Sequence, residues 1–400
     1  MLRDVLGEPT GGPIALHEPE ITAHERALVD RCLASGWVSS VGEYIGELER
    51  RIAAVTGARH VVAVGSGTAA LQLALHAAGV RPGDEVLVPT LSFVATANAV
   101  AHCGATPHFV DADAGSLGVD PEALRAYLAR VARRDGTGRD ARTVHGATGR
   151  RIAALVPMHT FGHASRIAAL CEVAAEWGIP VVEDAAESLG TSVGARGGRV
   201  RHTGTFGLLG TLSFNGNKTV TTGGGGAVLT DDEGLAARVR HLATTAKRPH
   251  AWEYVHDAVA WNHRMPNLNA ALGVAQMDRL DDMLARKRAL AARYEAAARG
   301  AEGWSVVAPL ADTTSNRWLV AARLADGDDA EARRDEVLAA AHAAGYLCRP
   351  AWQPLHTLPM YADAPRAALP VATTLHATLV NVPSSARLGG APAAVRGGTA

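Results

Sequence analysis

Ser213-Phe214-Asn215-Gly216-Asn217-Lys218-Thr219-Val220-Thr221-Thr222, followed by Gly223-Gly224-Gly225-Gly226, is the most telling stretch of this 400-residue chain. A lysine set between a short apolar run and four glycines is badly placed for a solvated surface charge. The glycines permit a tight turn and a close approach of backbone to a ligand. A lysine held there can lose its proton and attack a carbonyl carbon. That is what an enzyme needs to hold pyridoxal phosphate (PLP) as a Schiff base. Lys218 is therefore the expected catalytic residue and PLP the expected cofactor.

Working outward, residues 60–230 alternate short β-branched runs with Ala-rich runs. Val61–Val64, Glu85–Val88, Thr106–Val110, Ile152–Val156 and Pro180–Glu183 are predicted strands. Gly67–Ala78, Ala95–His102 and Ile167–Trp177 are predicted helices. This βα alternation predicts an α/β fold with a large, mainly parallel-sheet domain covered by helices on both faces. Between Arg133 and Arg151 the pattern breaks into Gly, Thr, Arg and Asp, which predicts an exposed excursion. Pro266 suits the first turn of a long helix to about Ala298. Beyond it, strand-like Trp318–Ala321 and a helix from about Glu331 to Ala344 predict a smaller α/β domain. The expected division is residues 1–265, holding the N-terminal segment and large domain, and 266–400, holding the linking helix and small domain. The Gly/Ala/Pro-rich end from Gly389 is expected to fray.

Composition narrows the classes of function. Hydrophobic residues make up 48% and charged residues 20%, with a formal net charge of -1. No basic excess is present to attract nucleic acid or an anionic membrane, so neither is expected as a partner. Cys32, Cys103, Cys171 and Cys348 form no CxxC pair, which fits reduced thiols and a cytoplasmic location. No apolar stretch is long enough to span a bilayer.

Further segments carry chemistry. Gly65-Ser66-Gly67-Thr68 follows a strand and opens a helix. Backbone N–H groups there bind phosphate, and Ser66 and Thr68 add hydroxyls. The other readings are a plain strand-to-helix turn, or a dinucleotide fingerprint, which Ala70 would complete. The fingerprint needs an acid at the end of the second strand, but Asp84 and Glu85 stand at its beginning. Val181-Val182-Glu183-Asp184-Ala185-Ala186-Glu187 ends a strand in acids. PLP needs a carboxylate at its ring nitrogen, and Asp184 is the candidate; a helix N-cap is its other reading. Glu187 could reach the ring's phenolic oxygen, or serve as a capping-box or surface carboxylate. Phe93 could stack on the ring or lie in the core. Ser213 could bond the phosphate. His159 and His163 have i,i+4 spacing, but Pro157 and Gly162 argue against a helix, so no metal is expected. His159 is instead a candidate for the substrate pocket. Lys247, Arg248, His250 and Arg264 are candidates for a substrate diphosphate, each with a solvated loop as its other reading.

Taken in order, these segments resemble the DegT/DnrJ/EryC1/StrS family of PLP-dependent nucleotide-sugar aminotransferases. The resemblance runs from about Leu16 to Pro383. It rests on the Ser213–Gly226 stretch, on residues 65–68, on Val182–Ala186 and on Trp261-Asn262-His263-Arg264-Met265-Pro266. It implies the aspartate-aminotransferase (type I) fold and a homodimer with shared active sites. In that arrangement Asn262 would reach the phosphate of the partner's PLP. Relatives that remove a sugar hydroxyl carry histidine in place of the lysine, so Lys218 implies transamination from L-glutamate. Within the family, Gly36–Gly42 and His159–His163 look like enzymes that aminate C4 of nucleotide-linked 4-keto-6-deoxy sugars. The branch feeding legionaminic-acid-type sugars, on UDP-2-acetamido-4-keto-2,6-dideoxyhexose, looks nearest, with perosamine synthases as neighbours. Family members often carry Gln or His where this chain has Glu187. A PLP-binding sensor without turnover and a nicotinamide-dependent oxidoreductase are the alternatives from other classes. The second leaves the Lys218 segment unexplained.

Overall fold

The apolar runs assemble as the strands of one central layer. The computed structural model describes residues 1–138, 141–194 and 200–390. After a single helical turn at Leu2–Leu6 come helices α1 (Ala23–Ser35) and α2 (Glu43–Thr56). Then β1 (His60–Val64) leads into α3 (Gly67–Ala77), β2 (Glu85–Pro89) into α4 (Val94–His102), and β3 (Thr106–Val110) into α5 (Pro121–Val131). A hairpin of β4 (Ala132–Asp135) and β5 (Arg142–His145) follows, then β6 (Ile152–Leu155), α6 (Ile167–Trp177) and β7 (Val182–Asp184). β8 (Leu209–Ser213) and β9 (Gly226–Thr230) complete the layer before α7 (Glu233–Ala243).

The strand order is β1-β9-β8-β7, continued through parallel bridges from Val181 to Leu155 and from Asp184 to Met158 into β6-β2-β3. β9 is antiparallel to both its neighbours; the other pairings are parallel. The exception has a simple cause. β8 returns directly to β9 through the Lys218 loop, without the crossover helix a parallel return requires. Every residue of β2 and of β9 is buried, as expected of strands covered on both faces. β1, β7 and β8 deliver Ser66, Asp184 and Ser213 to one edge, the carboxyl ends at which open α/β sheets bind ligands.

The chain leaves this layer through a small hairpin, β10 (Lys247–Arg248) and β11 (Val255–His256). Helices α8 (Asn267–Met277) and α9 (Leu280–Ala298) lead to an antiparallel sheet. Its strands are β12 (Trp304–Val306), β13 (Val320–Leu324), β14 (Arg349–Pro350) and β15 (Leu379–Val382). Its core joins Val320 and Val380 to Leu290 and Tyr294, with Val5 from the N-terminus in the same cluster. Leu355 and Tyr361, although late in the chain, pack into the core of the large sheet. Among the described residues, no helix is long and apolar enough to cross a membrane.

The structure departs from expectation in three places. The excursion at 133–151 is not wholly exposed: it is the β4–β5 hairpin, with Thr143 and Val144 buried. The long helix from 266 is two helices, broken at Asp278 and Arg279. Both residues are held by ion pairs to the N-terminal segment, Asp278 to His24 and Arg51, Arg279 to Glu20 and Glu25. The strand expected from Trp318 begins two residues later, at Val320, which frees Trp318 for the cleft. Most of the expected fraying tail, residues 391–400, lies outside the described residues.

The Arg279–Glu25 ion pair at the helix break is buried. Arg279 Nη1 lies 3.0 Å from Glu25 Oε1, with side-chain exposures of 2% and 0%. Burial alone would raise the Glu25 pKa, but hydrogen bonds from Thr22 and Arg279 outweigh it and bring it to about 2. The stability this contributes is present above the ordinary glutamate range and is lost as pH falls towards 2. Arg279→Ala strands the Glu25 charge, so urea unfolding at pH 7 should show a loss of about 3 kcal/mol. A loss below about 1 kcal/mol would mean that Gln276 and Thr22 suffice to hold the carboxylate.

Candidate active site

A cavity of about 300 Å³ opens where β1, β7 and β8 end. Ser66 caps α3, its hydroxyl accepting from the Ala69 amide at 3.1 Å. The first-turn amides of a helix have no acceptor within it, so those of Gly67 and Thr68 border the cavity as donors. Ser213 stands opposite. A Cβ at Gly67 would sit 2.7 Å from Ser213 Cβ, and one at Gly226 would sit 2.6 Å from the Ser66 carbonyl. Only glycine allows the strand ends and the helix turn to close to this distance. The chain turns into its glycine run at Gly223, whose φ of 77° suits that residue.

Two carboxylates lie beneath the cavity. Asp184 is 2% exposed. It accepts from Thr96 Oγ1 at 2.7 Å and from the Ala186 amide at 3.2 Å. Among the described residues no cation pairs with it, and burial raises its pKa. Glu187 Oε1 accepts from Lys218 Nζ at 3.0 Å, and Oε2 from the Phe161 amide at 2.9 Å. Burial raises Glu187 more than the adjoining lysine lowers it, so its pKa is pushed up to about 7.

Lys218 reaches into the cavity between these acids and an aromatic wall. Its Nζ lies 3.8 Å from the centre of the Trp318 ring, a cation–π contact. Trp318 is fixed from three sides. Its Nε1 donates to the Asn217 carbonyl at 2.7 Å, its amide donates to Asn316 Oδ1 at 2.8 Å, and its carbonyl accepts from buried Lys287 at 3.1 Å. Burial pushes Lys287 down to about 7. Asn316 also donates to the Glu187 carbonyl at 2.8 Å, which ties the tryptophan to the acid segment. The backbone is strained here. Phe161 (φ 56°) and Arg317 (φ 53°) are left-handed without being glycine, at a cost of about 1–3 kcal/mol each. The first aims the Phe161 amide at Glu187; the second turns the chain just before Trp318.

The structure brings Ser66, Gly67, Thr68, Phe93, Asp184, Glu187, Ser213 and Lys218 to this one cavity. Phe93 is 48% exposed on its rim, with its ring centre 6.1 Å from that of Trp352. His159 is a correction. It is fully buried outside the cavity lining, with Nε2 against Glu183 Oε2 at 3.0 Å and Nδ1 accepting from the Ser165 amide at 3.2 Å, so neither nitrogen faces a substrate. Asn262 is exposed and does not line the cleft of its own chain. Lys247, Arg248 and His250 stand exposed on or beside the β10–β11 hairpin, and half-buried Arg264 bridges to Val64; none lines the cavity. Sequence reasoning missed Trp318, Trp352, Asn316 and Lys287. A tryptophan just before a strand was the only local signal.

This arrangement fits PLP. Open helix-end amides suit a phosphate. A buried carboxylate without a cation suits a protonated ring nitrogen. The lysine stands between them, within reach of an aldehyde, and the lack of room for a Cβ at Gly67 keeps the cradle tight.

A sequence profile described as the DegT/DnrJ/EryC1/StrS aminotransferase family matches residues 19–395. The GDP-perosamine synthase of Caulobacter vibrioides is 34% identical over 94% of this chain and 94% of its own. Among solved structures, the aminotransferase TlmJ from Streptoalloteichus hindustanus superposes with a TM-score of 0.81 at 29% identity, covering 93% of this chain and 94% of that one. DesI, solved with its TDP-sugar product, has a TM-score of 0.79 at 29% identity, covering 96% and 92%.

Glu187 sets a test in the cofactor-free protein. Its folded pKa of about 7 lies above the unfolded value near 4.5. The stability tied to its proton is present below the unfolded value and lost as pH rises through the folded one. Relative to Glu187→Gln, the wild type should lose about 2–3 kcal/mol between pH 4.5 and 8, read by urea unfolding. A difference that stays flat across this range would place Glu187 in the ordinary carboxylate range.

Proposed function

The chain belongs to the DegT/DnrJ/EryC1/StrS aminotransferase family of PLP-dependent nucleotide-sugar aminotransferases, and we propose that it moves the amino group of L-glutamate to C4 of a GDP-linked 4-keto-6-deoxy sugar. The observation that carries this reading is Lys218 Nζ, at hydrogen-bond distance from Glu187 in the cavity that Asp184 and the α3 N-terminus also border.

PLP, when bound, supplies an electrophilic aldehyde and a ring that withdraws electrons from the carbon losing its proton. The residues have separate tasks. The Gly67 and Thr68 amides, with the Ser66 and Ser213 hydroxyls, would hold the phosphate and so keep the cofactor in place without its covalent link. Asp184 would accept from a protonated ring nitrogen, an interaction that burial would strengthen. Lys218 would be the attachment point for the aldehyde, and its Nζ, when free, could take and give a proton as general base and acid. Glu187 lies in contact with the same nitrogen. With its raised pKa it can hold a proton, so it can donate to an adjacent phenolic oxygen where an ionised carboxylate would repel it. Trp318, Trp352 and Phe93 wall the cavity and limit water.

Support for the sugar comes from relatives. The perosamine synthases act on GDP sugars by name and cover nearly all of the chain. This favours a GDP substrate over the UDP-2-acetamido sugar expected from residues 36–42 and 159–163. Support for a homodimer comes from what one chain leaves unused. Asn262, Lys247, Arg248 and His250 stand outside their own cleft, and Trp252 and Tyr254 are 82% and 80% exposed beside them. A second copy covering that face would bring Asn262 to the partner's cofactor phosphate and cations to its substrate.

The test is incubation of the PLP-loaded protein with L-glutamate and GDP- or UDP-linked 4-keto-6-deoxy sugars, with products identified by mass and NMR. The GDP sugar should be preferred by roughly 100-fold in kcat/KM. Lys218→Ala should lower turnover by about 10³-fold. Equal use of the UDP sugar would overturn the nucleotide assignment, and near-normal turnover by the lysine variant would overturn the catalytic one.

A further inference from the structure

A second buried cluster lies at the opposite edge of the same sheet. Glu85 is the first residue of β2, so it sits at the strand's amino end, whereas Asp184 and Ser213 end their strands at the cleft. His108 lies on the neighbouring β3, and His145 ends β5 of the hairpin. Side-chain exposures are 0% for Glu85 and His108 and 12% for His145. His108 Nδ1 lies 2.9 Å from Glu85 Oε2, and His145 Nδ1 lies 3.1 Å from the same oxygen. Ligand-capable atoms of the three residues all fall within 4.8 Å of one another.

We propose that Glu85, His108 and His145 form a zinc site that staples the β4–β5 hairpin to the floor of the sheet. Two imidazoles and one carboxylate are a zinc donor set. Around a tetrahedral ion with bonds of about 2.0–2.1 Å, donor atoms stand about 3.3 Å apart, so the contacts at Oε2 need to open by only a few tenths of an ångström. The surrounding groups also match what a metal requires. Thr148 Oγ1 donates to Glu85 Oε1 at 2.8 Å, which leaves Oε2 to the ion. His108 Nε2 lies 2.6 Å from Tyr127 Oη, so the ring can donate N–H there while Nδ1 turns its lone pair to the ion, the usual outer partnership of a zinc histidine. The turn at Gly146–Gly149, directly after His145, is exposed, so the cluster lies close to solvent.

Binding balances simply. A neutral ring that carries its proton on Nδ1 shifts it to Nε2 by exchange with solvent, and an imidazolium releases one proton to solvent; either way each ring ends neutral with its Nδ1 lone pair free for the ion, which sits between the same atoms. The site departs from the sequence expectation of no metal because its three ligands come from two strands and the excursion, with no shared spacing.

The test uses the tag-free, PLP-loaded full chain, stripped with chelator and titrated with zinc, then with cobalt as a spectroscopic probe. One zinc per chain by elemental analysis, tetrahedral cobalt absorption bands and a raised thermal midpoint are expected. His145→Ala should weaken zinc binding by at least 100-fold, and Tyr127→Phe by about 10-fold. Circular dichroism of metal-free H145A confirms that this hairpin variant folds. No zinc uptake at micromolar concentration would leave a hydrogen-bonded triad only and overturn the proposal. So would wild-type zinc affinity in both His145→Ala and Glu85→Gln.

Discussion

The close contact between the α3 turn and the two central strands governs the site. Gly67 faces Ser213, and Gly226 faces the Ser66 carbonyl, at separations that exclude a Cβ on either glycine. Because these backbones touch, the free amides of the helix end, the Ser213 hydroxyl and the Lys218 loop share one small space. The same contact explains the odd strand. β9 must return beneath Ser66 straight from the lysine loop, so it runs against its neighbours. The chain spends side-chain volume here to gain proximity, which is what catalysis by positioned groups needs.

Around that contact the protein keeps charge under-compensated. Asp184 and Glu187 are both buried beside a single lysine, and both carboxyls are raised by loss of water. Left alone this is costly, and it is held by neighbours that are themselves over-determined. Asn316 bonds both the Glu187 segment and the Trp318 amide. Lys287 gives its protons to the carbonyls of Trp318 and Ser384 and to His17. Strained backbone at Phe161 and Arg317 is stable only within such a frame. Each of these supports lies away from Lys218 in sequence, so the lysine's surroundings depend on docking of the C-terminal layer.

That dependence also decides what the sequence could reveal. The sheet, the helices on it and the cluster of Ser66, Asp184, Ser213 and Lys218 were legible because each signal is local: a strand followed by a glycine turn, acids at a strand end, a lysine before glycines. The aromatic wall was not, because Trp318 and Trp352 approach Lys218 only through the small sheet. His159 misled because its spacing to His163 gives no sign of Glu183 and Ser165, which occupy its two ring nitrogens in the core. The break at Asp278–Arg279 was hidden because helix propensity continues through it; ion pairs to Glu20, Glu25, His24 and Arg51 end the helix instead. The β4–β5 hairpin looked like loop because its polar residues carry no period-two alternation, and it is held by pairing and by His145 reaching inward.

The sheet thus carries two buried acid sites with opposite electrostatics. At the carboxyl ends of the strands, burial dominates and raises Asp184 and Glu187; the unmet need is for positive charge, which a protonated ring nitrogen meets. At the amino end of β2, His108, His145 and Thr148 converge on Glu85. Both arrangements follow one rule, that a buried carboxylate must find donors or take up a proton. The first leaves that choice open, which suits a site that exchanges protons. The second closes it with convergent imidazoles, which suits a fixed ligand set. A catalytic edge kept electrostatically unsettled needs a rigid sheet behind it, and the Glu85 cluster joins β2, β3 and the hairpin at the sheet's other end, beside the Asp84–Arg151 ion pair.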